Sequence, residues 1–553
     1  MTQKRAANLL VECLINQGVD KIYGVPGESY LSVLDALYDF NNKINFISTR
    51  HESAASFMAE AYGKLTGEVG TCFVTRGPGA TNASIGVHTA MQNSSPMILF
   101  IGQIGRDMTE REAFQEIDYK AYFGSISKWV VQVNNADRLP EIIGRAFSMA
   151  LSGRPGPVVV SLPEDMLRDL TSAVAINKIQ KTCAEISVTQ VNLIKDELEK
   201  SKKPLIICGG GGWSDIGRDY LKRFAESVNI PVICGFRNQD LMDTNSFAYV
   251  GDASFGKPQY IKDLIKNSDL ILAINIRFGE VITDAWSLFD FPHPKQKIIH
   301  THVSEAEINK VYHCELGVVA SPDSVVQGLY EARVSRNPSS SLRRNREDFV
   351  ESRKIVDTQG TLNVAKICNY LNIHSDKDAI FTNGAGNFAI WSGKYLNYSK
   401  EHRLLAPQAG AMGAGVPAAL AAKSIYPNRQ VICFAGDGDF QMSASELGTA
   451  MQEGLNPIIL IHNNGSYGTI RMHQEMRYPK RVSGTNLKNP NFKCIAEAYN
   501  FGYSKITNLS EFKVAFEKAK TFDVCFIIDC DGETSYKRIE KRGIDNHNDD
   551  KPI

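Results

Sequence analysis

The stretch Val431-Ile-Cys-Phe-Ala435-Gly436-Asp437-Gly438-Asp439, followed by Ser443-Ala-Ser-Glu446 and then by Ile458-Ile-Leu-Ile461-His462-Asn463-Asn464, decides the fold class. Two apolar runs of strand length flank a helix-start signature, with Ser443 to Glu446 matching a capping box. The segment therefore reads as one βαβ unit, and the right-handed crossover rule sets its two strands parallel. Parallel strands end on the same edge of a sheet, so the oxygen donors of Asp437 and Asn464 converge on one crevice. A carboxylate and an amide oxygen form a hard, incomplete cage. That suits Mg²⁺, which keeps water and takes its remaining ligands from phosphate oxygens. Gly436 and Gly438 leave room for the backbone to approach such an anion, and the following helix adds the dipole of its N-terminus. Read alone, Gly436-Asp437-Gly438 is more readily an ordinary strand-to-helix turn.

Working outward, the same alternation of apolar runs and amphipathic stretches fills the chain. Strands are expected at 21–25, 44–48, 70–75, 97–101 and around Pro157 to Pro163, with helices at 30–40, 53–66 and 81–92 between them. A polar run, 171–188, reads as a linker. A second block has strands at 203–208, 268–274 and 297–302 and fades at Ala332 to Arg344, whose Ser, Pro and charge content is that of a tether. A third has strands at 379–382, 430–435, 457–462 and 524–529, before a tail too polar to pack a core. The expected architecture is α/β, with three doubly wound parallel-sheet domains at 1–172, 188–333 and 357–535 and a polar tail at 536–553. The first and third share length and strand rhythm, which marks them as a related pair flanking a different domain.

Composition narrows the partners. The 553 residues carry 61 Lys plus Arg against 61 Asp plus Glu, so no overall basic field exists to hold nucleic acid or an anionic membrane. With 43% hydrophobic and 22% charged residues, the chain has the make-up of a globular protein. Its 11 cysteines include no CxxC pair, and the N-terminus lacks the pattern of an export signal; a reducing cytoplasm is expected. No run approaches the length of a membrane-spanning helix.

Asp437 with Asn463-Asn464 after a second strand resembles the diphosphate and metal motif of thiamine diphosphate enzymes. The resemblance implies that Asp437, Asn464 and the backbone oxygen of Ser466 ligate Mg²⁺, while Gly436, Gly438, Asp439, Tyr467 and Gly468 line the diphosphate. It is completed in the first block at Ser48-Thr-Arg-His-Glu52, where Glu52 matches the glutamate that bonds the coenzyme's aminopyrimidine ring nitrogen. By itself Glu52 is an acid in a first helical turn. Arg76-Gly-Pro-Gly-Ala-Thr-Asn82, Ala113-Phe-Gln115-Glu116, Ser127-Lys-Trp129 and Gly153-Arg-Pro-Gly-Pro157 resemble the acetolactate synthase branch, and Gln115 is carried over from it as catalytic. In the third block Asn387 and Phe388 match positions beside the diphosphate, Gly410 offers the carbonyl for the 4'-amino group, and Met412 supports the bent coenzyme. Such sites lie between subunits, so a homodimer or homotetramer is implied; a regulatory subunit is a further possible partner.

The second block carries Gly209-Gly-Gly-Gly212 after a strand, which fits neither GxGxxG nor GxxxxGK[ST]. It reads equally as a bare turn, although the acetolactate synthase branch binds FAD in this domain without redox use and Arg277-Phe278 resembles its pattern. Elsewhere the chain departs from that branch. Pro26-Gly27-Glu28 places a carboxylate where a second glycine is usual, so Glu28 is either catalytic or a helix-start acid. Arg76 and Arg471 are candidates for a substrate carboxylate or for ion pairs. His51, His88 and His473 are candidate proton carriers with no assigned role. The function implied is thiamine diphosphate- and Mg²⁺-dependent decarboxylation of a 2-oxo acid with carboligation, as in 2-acetolactate and CO₂ from two pyruvates. The alternatives are a decarboxylase or C–C lyase of the same fold, and a non-catalytic nucleotide-binding or regulatory relative.

Overall fold

Runs such as Gly70–Val74, Met97–Gln103, Pro204–Cys208 and Val431–Gly436 are buried at every residue, as strands covered by helices on both faces must be. In the computed structural model, which describes residues 3–336, 340–356 and 362–532, these runs build three six-stranded sheets whose neighbouring strands are all parallel. The first contains β1 (Lys21–Gly24), β2 (Asn45–Ser48), β3 (Gly70–Val74), β4 (Met97–Gln103), β5 (Trp129–Gln132) and β6 (Pro157–Pro163). The second contains β7 (Pro204–Cys208), β8 (Val232–Cys234), β9 (Tyr249–Asp252), β10 (Leu270–Ile274), β11 (Lys297–His302) and β12 (Leu316–Val319). The third contains β13 (Ile380–Asn383), β14 (Arg403–Leu405), β15 (Val431–Gly436), β16 (Ile458–Asn463), β17 (Gly502–Ile506) and β18 (Phe526–Asp531).

The spatial orders are β2-β1-β3-β4-β6-β5, β9-β8-β7-β10-β11-β12 and β14-β13-β15-β16-β18-β17. Ranked by position in the chain, the first and third sheets have the same order, and the middle one has the order of a dinucleotide-binding Rossmann sheet. The expected α/β class, with a related outer pair around a different middle domain, is what the chain adopts. In each sheet the strand order reverses beside the first-ranked strand, and the crevice above that reversal is where such folds bind ligands. In the first sheet it lies above β1 and β3, and in the third above β13 and β15.

Three expectations need correction or qualification. The 171–188 run has no regular structure beyond its ends, yet Ile176 and Ile179 pack on the first core and Gln17 bonds the carbonyl of Asn177 and the N–H of Ile179. The Ala332–Arg344 tether is contradicted in its second half. A helix spans Ser340–Ser352, and its Leu342 and Phe349 are buried in the cores of the middle sheet. Burial of Leu342 and Phe349, one face of the helix, outweighs the polar composition around them. Residues 357–361 and 533–553, which include the expected tail, lie outside the described residues. Among the described residues no helix is long and apolar enough to cross a membrane.

The Ser443–Glu446 capping box is also absent. Ser443 makes no side-chain cap, and Glu446 is fully buried and turned toward the first domain. Its carboxylate accepts from the N–H of Arg50 (3.1 Å), the N–H of His51 (3.0 Å) and the hydroxyl of Thr449 (2.6 Å). Burial raises its pKa against these bonds, which favour the charged form. Helices α1 (Glu52–Thr66) and α2 (Pro78–Asn93) of the first domain face the third, where Phe57 packs with Ala411 and Ala414 just before helix α4 (Gly415–Ile425); α3 (Asn387–Tyr395) lies on the far side of that loop in sequence.

Glu446→Ala leaves the Arg50 and His51 N–H donors and the Thr449 hydroxyl without their buried acceptor and should lower unfolding free energy by about 3 kcal/mol in guanidinium titration, Glu446→Gln by less. A second expectation concerns pH. His302 is held neutral, its Nδ1 accepting from Ser304 N–H (2.9 Å), and burial pulls its pKa down to about 3; buried His300 is likewise lowered. The unfolded chain takes up a proton near its ordinary value of about 6.5, so this stabilisation is complete above that pH and lost as pH falls toward 3. Unfolding midpoints should drop between neutral pH and pH ~5, by about 1.4 kcal/mol per pH unit from His302, and His302→Gln should flatten that slope.

Candidate active site

At the carboxyl edge of the third sheet, β15 and β16 run side by side in register, Gly436 opposite His462. Asp437 opens helix α5 (Asp437–Gln441) at that edge and is 2% exposed. Its carboxylate accepts from Gly438 N–H (2.9 Å), Gly465 N–H (2.8 Å) and the Asn489 side-chain amide (2.7 Å). Asn464 Oδ1 accepts from the N–H and the hydroxyl of Ser466, both at 3.0 Å, which folds Asn464 and Ser466 into one tight turn. Asn463 is directed elsewhere, bonding Asp529 at 3.0 Å. The predicted metal residues Asp437, Asn464 and Ser466 are thus brought together, and a carboxylate, an amide oxygen and a backbone oxygen fit Mg²⁺ by donor chemistry.

The diphosphate-side residues gather on the same edge. A Cβ on Gly438 would lie 2.6 Å from the Tyr467 ring, so glycine is needed there, and Gly468 opens helix α6 (Gly468–Arg477). Asn387, buried at the start of α3, accepts from the Thr469 hydroxyl (3.1 Å). Phe388 stacks on His462, which stacks in turn on Phe434. Asp439 has a different task from the one expected of a residue lining an anion. Its carboxylate accepts from Gly413 N–H (2.9 Å) and Ala385 N–H (3.2 Å), and burial pushes its pKa up to about 7. A Cβ on Gly384 would stand 2.0 Å from that carboxylate. Asp439 is therefore a tie between three loops, the last of which carries exposed Gly410 and half-buried Met412.

The first sheet supplies a second cluster. Glu52 is the first residue of α1, with His51 capping the helix by accepting from Ser53 N–H. Glu52 Oε2 accepts from Asn82 of α2 (3.0 Å), and its other oxygen lies beside Gly79. Gln115, in a left-handed conformation (φ 66°), packs its carbonyl against Gly77. Glu28 is exposed and opens the turn after β1, where Gly27 lies against Thr75. Glu52, Gln115 and the Gly77–Gly79 turn are brought to one crevice. Among the described residues no hydrogen bond joins Glu52 to the Asp437 cluster within the single chain.

Of the charged candidates, Arg76 is largely buried and pairs with Glu164 (2.9 Å), Arg471 bonds Asn486 (2.8 Å), and His88 and His473 are exposed. Sequence reasoning missed Asn489, which also donates to Asn463 (2.9 Å) and accepts from Gln441 (3.0 Å). It reaches the metal strand because 485–487 pairs back along Gly465–Tyr467. No motif marks it, though Asn486-Leu-Lys-Asn489-Pro-Asn491 is unusually rich in asparagine.

Family models agree with this geometry. The thiamine pyrophosphate enzyme N-terminal TPP binding domain matches residues 4–122, the central domain 191–329 and the C-terminal TPP binding domain 384–530. The acetolactate synthase large subunit of Corynebacterium glutamicum is 30% identical, with 93% of this chain and 84% of the relative covered. That of Parasynechococcus marenigrum is 31% identical over 91% and 83%. The isozyme 3 large subunit of Escherichia coli is 28% identical over 94% and 92%. Sheets, crevices and relatives lead to one conclusion: the chain belongs to the thiamine pyrophosphate enzymes, on their acetolactate synthase large subunit-like branch.

Proposed function

We propose that the protein is a thiamine diphosphate- and Mg²⁺-dependent carboligase that decarboxylates a 2-oxo acid and joins the remaining fragment to a second carbonyl compound, 2-acetolactate from two pyruvates being the reference reaction. The observation that carries this is the Asp437 carboxylate, locked by three N–H donors beside Asn464 at a sheet reversal point. Asp437, Asn464 and the Ser466 carbonyl would hold the ion, with Gly436, Gly438, Tyr467, Gly468, Asn387 and Phe388 around the diphosphate. When bound, the coenzyme supplies a carbon nucleophile and the electron sink for the loss of CO₂. Glu52 would hold a proton at the aminopyrimidine ring nitrogen, the Gly410 carbonyl would orient the 4'-amino group, and Met412 would support the ring from below. Gln115, packed against Gly77 near the Glu52 crevice, would meet the incoming substrate.

Glu52 and Asp437 belong to different sheets, which supports an active site completed by a second copy of the chain, in a dimer or tetramer. Relatives are named large subunits, and a separate regulatory partner is part of the reading. Residues 1–172, 188–333 and 357–535 are assigned as pyrimidine-binding, central and diphosphate-binding domains. In the middle domain, the N–H of Ser214 is taken by the Asp323 carboxylate (3.2 Å), so the adjoining helix N-terminus already faces an anion. FAD would instead be held by half-buried Arg154 and Arg277, which bond Ser94 and Gln92 near Gly211 and Gly212. All eleven cysteines are free, which supports a cytoplasmic location. Exposed Glu28 favours one second reading, a decarboxylase or lyase in which this acid delivers a proton to the product.

Product analysis by mass after incubation with pyruvate, coenzyme and Mg²⁺ separates these: acetolactate is expected, and acetaldehyde alone would favour the second reading. Glu52→Gln should lower turnover at least roughly 100-fold. Undiminished turnover would refute the role of Glu52. Asn489→Ala should raise the Mg²⁺ concentration needed for half-maximal activity about tenfold, because Asp437 then loses one of its orienting donors.

A further inference from the structure

Arg237 follows β8 of the middle sheet, yet its side chain serves the third domain. It is 8% exposed and its backbone is left-handed (φ 58°), a conformation unfavourable for a non-glycine residue that persists only where the surroundings enforce it. One guanidinium nitrogen donates to the carbonyl of Pro407 (2.5 Å) and the other to the carbonyl of Gly384 (2.9 Å). Those carbonyls belong to separate loops. Gly384 precedes Ala385, whose N–H holds Asp439. The Pro407 carbonyl also accepts from Gly410 N–H (2.9 Å), and the same loop returns to Asp439 through Gly413. The neighbouring Asn238 accepts from the Gln408 amide (2.9 Å), so the middle domain grips this loop at two successive residues.

Burial pulls the Arg237 pKa down to about 10, and the opposite charge that offsets this is Asp439. A contact that only glued two domains together would be served as well by apolar side chains, since burying a cation is costly. The forked geometry of a guanidinium, by contrast, fixes two acceptors relative to each other.

We propose that Arg237 is a positioning residue for the coenzyme cleft, through which the middle domain sets the Gly384 and Pro407–Gly413 loops and hence the seat of the aminopyrimidine ring. This rests on the coenzyme reading above. The test is calorimetric titration of full-length wild type, Arg237→Lys and Arg237→Met with thiamine diphosphate in saturating Mg²⁺, alongside guanidinium-independent thermal melts. Arg237→Met should bind at least about tenfold more weakly, and added methylguanidinium should restore part of the loss. Arg237→Lys, which keeps the charge and one donor, should fold like wild type and fall between. Wild-type binding with both variants within about twofold of it would overturn the inference, as would a loss in Arg237→Met that tracks its melting point and ignores methylguanidinium. If Arg237→Met does not fold, Arg237→Lys decides alone, with unchanged affinity overturning the proposal. Failure of wild type to bind the coenzyme at all would instead strike the reading in the previous section.

Discussion

A carboxylate that accepts from Gly438, Gly465 and Asn489 at once has no freedom to swing into solvent, and the organisation of the third domain follows from holding Asp437 that way. Two of the donors are backbone groups, available only because β15 and β16 end side by side and both turn over the sheet edge. The third arrives from 485–489, a segment that pairs back on Gly465–Tyr467. Strand register, two glycine-bearing turns and one distant asparagine thus converge on a single charged group. Preorganisation of this kind is what a cation with strict geometric demands requires of its ligands.

The same logic explains the buried polar groups between domains. Glu446 is the acceptor for the turn that precedes Glu52, whereas Arg237 donates to the loops around Asp439, and Arg154 and Arg277 donate to carbonyls of α2. Apolar packing between domains, such as Phe57 against Ala411 and Ala414, gives attraction without direction. Charged groups with two or more fixed partners give direction, because an incorrect relative placement leaves them desolvated and unpaired.

How much of this was legible depended on burial. Strands at the centre of each sheet announce themselves as continuous apolar runs. Edge strands do not: Trp129–Gln132 is half-buried throughout, Leu316–Val319 and Gly502–Ile506 alternate with exposed positions, and Arg403–Leu405 has only three residues. Tyr249–Asp252 is broken by Gly251, where its register with β8 shifts. An edge strand presents one side to solvent and needs no unbroken apolar signal. At the site, Asp437, Asn464 and Glu52 stood in local motifs, whereas Asn489, Glu446 and Arg237 act across long sequence distances and have no local pattern. The Ser443–Glu446 spacing was misleading for a physical reason: a capping box satisfies local donors, but the buried Glu446 carboxylate finds two backbone donors in another domain, and these prevail over one local cap.

In sheets of identical strand rank, Glu52 follows the second-ranked strand of the first and Asp437 the third-ranked strand of the third, the two strands that flank the first-ranked one in each order. A short segment joins the two regions in each chain: helix α5, a break at Met442-Ser443 and a 3-10 turn at Ala444–Glu446. Its first residue carries the carboxylate assigned to the metal, and its last accepts from Arg50 and His51, immediately ahead of Glu52. Asp437 and Glu446 are both buried, and the hydrogen bonds each accepts hold the two ends of the segment in place. The Asp437 carboxylate and the turn ahead of Glu52 are therefore tied through one short segment, even though each carboxylate faces its own crevice.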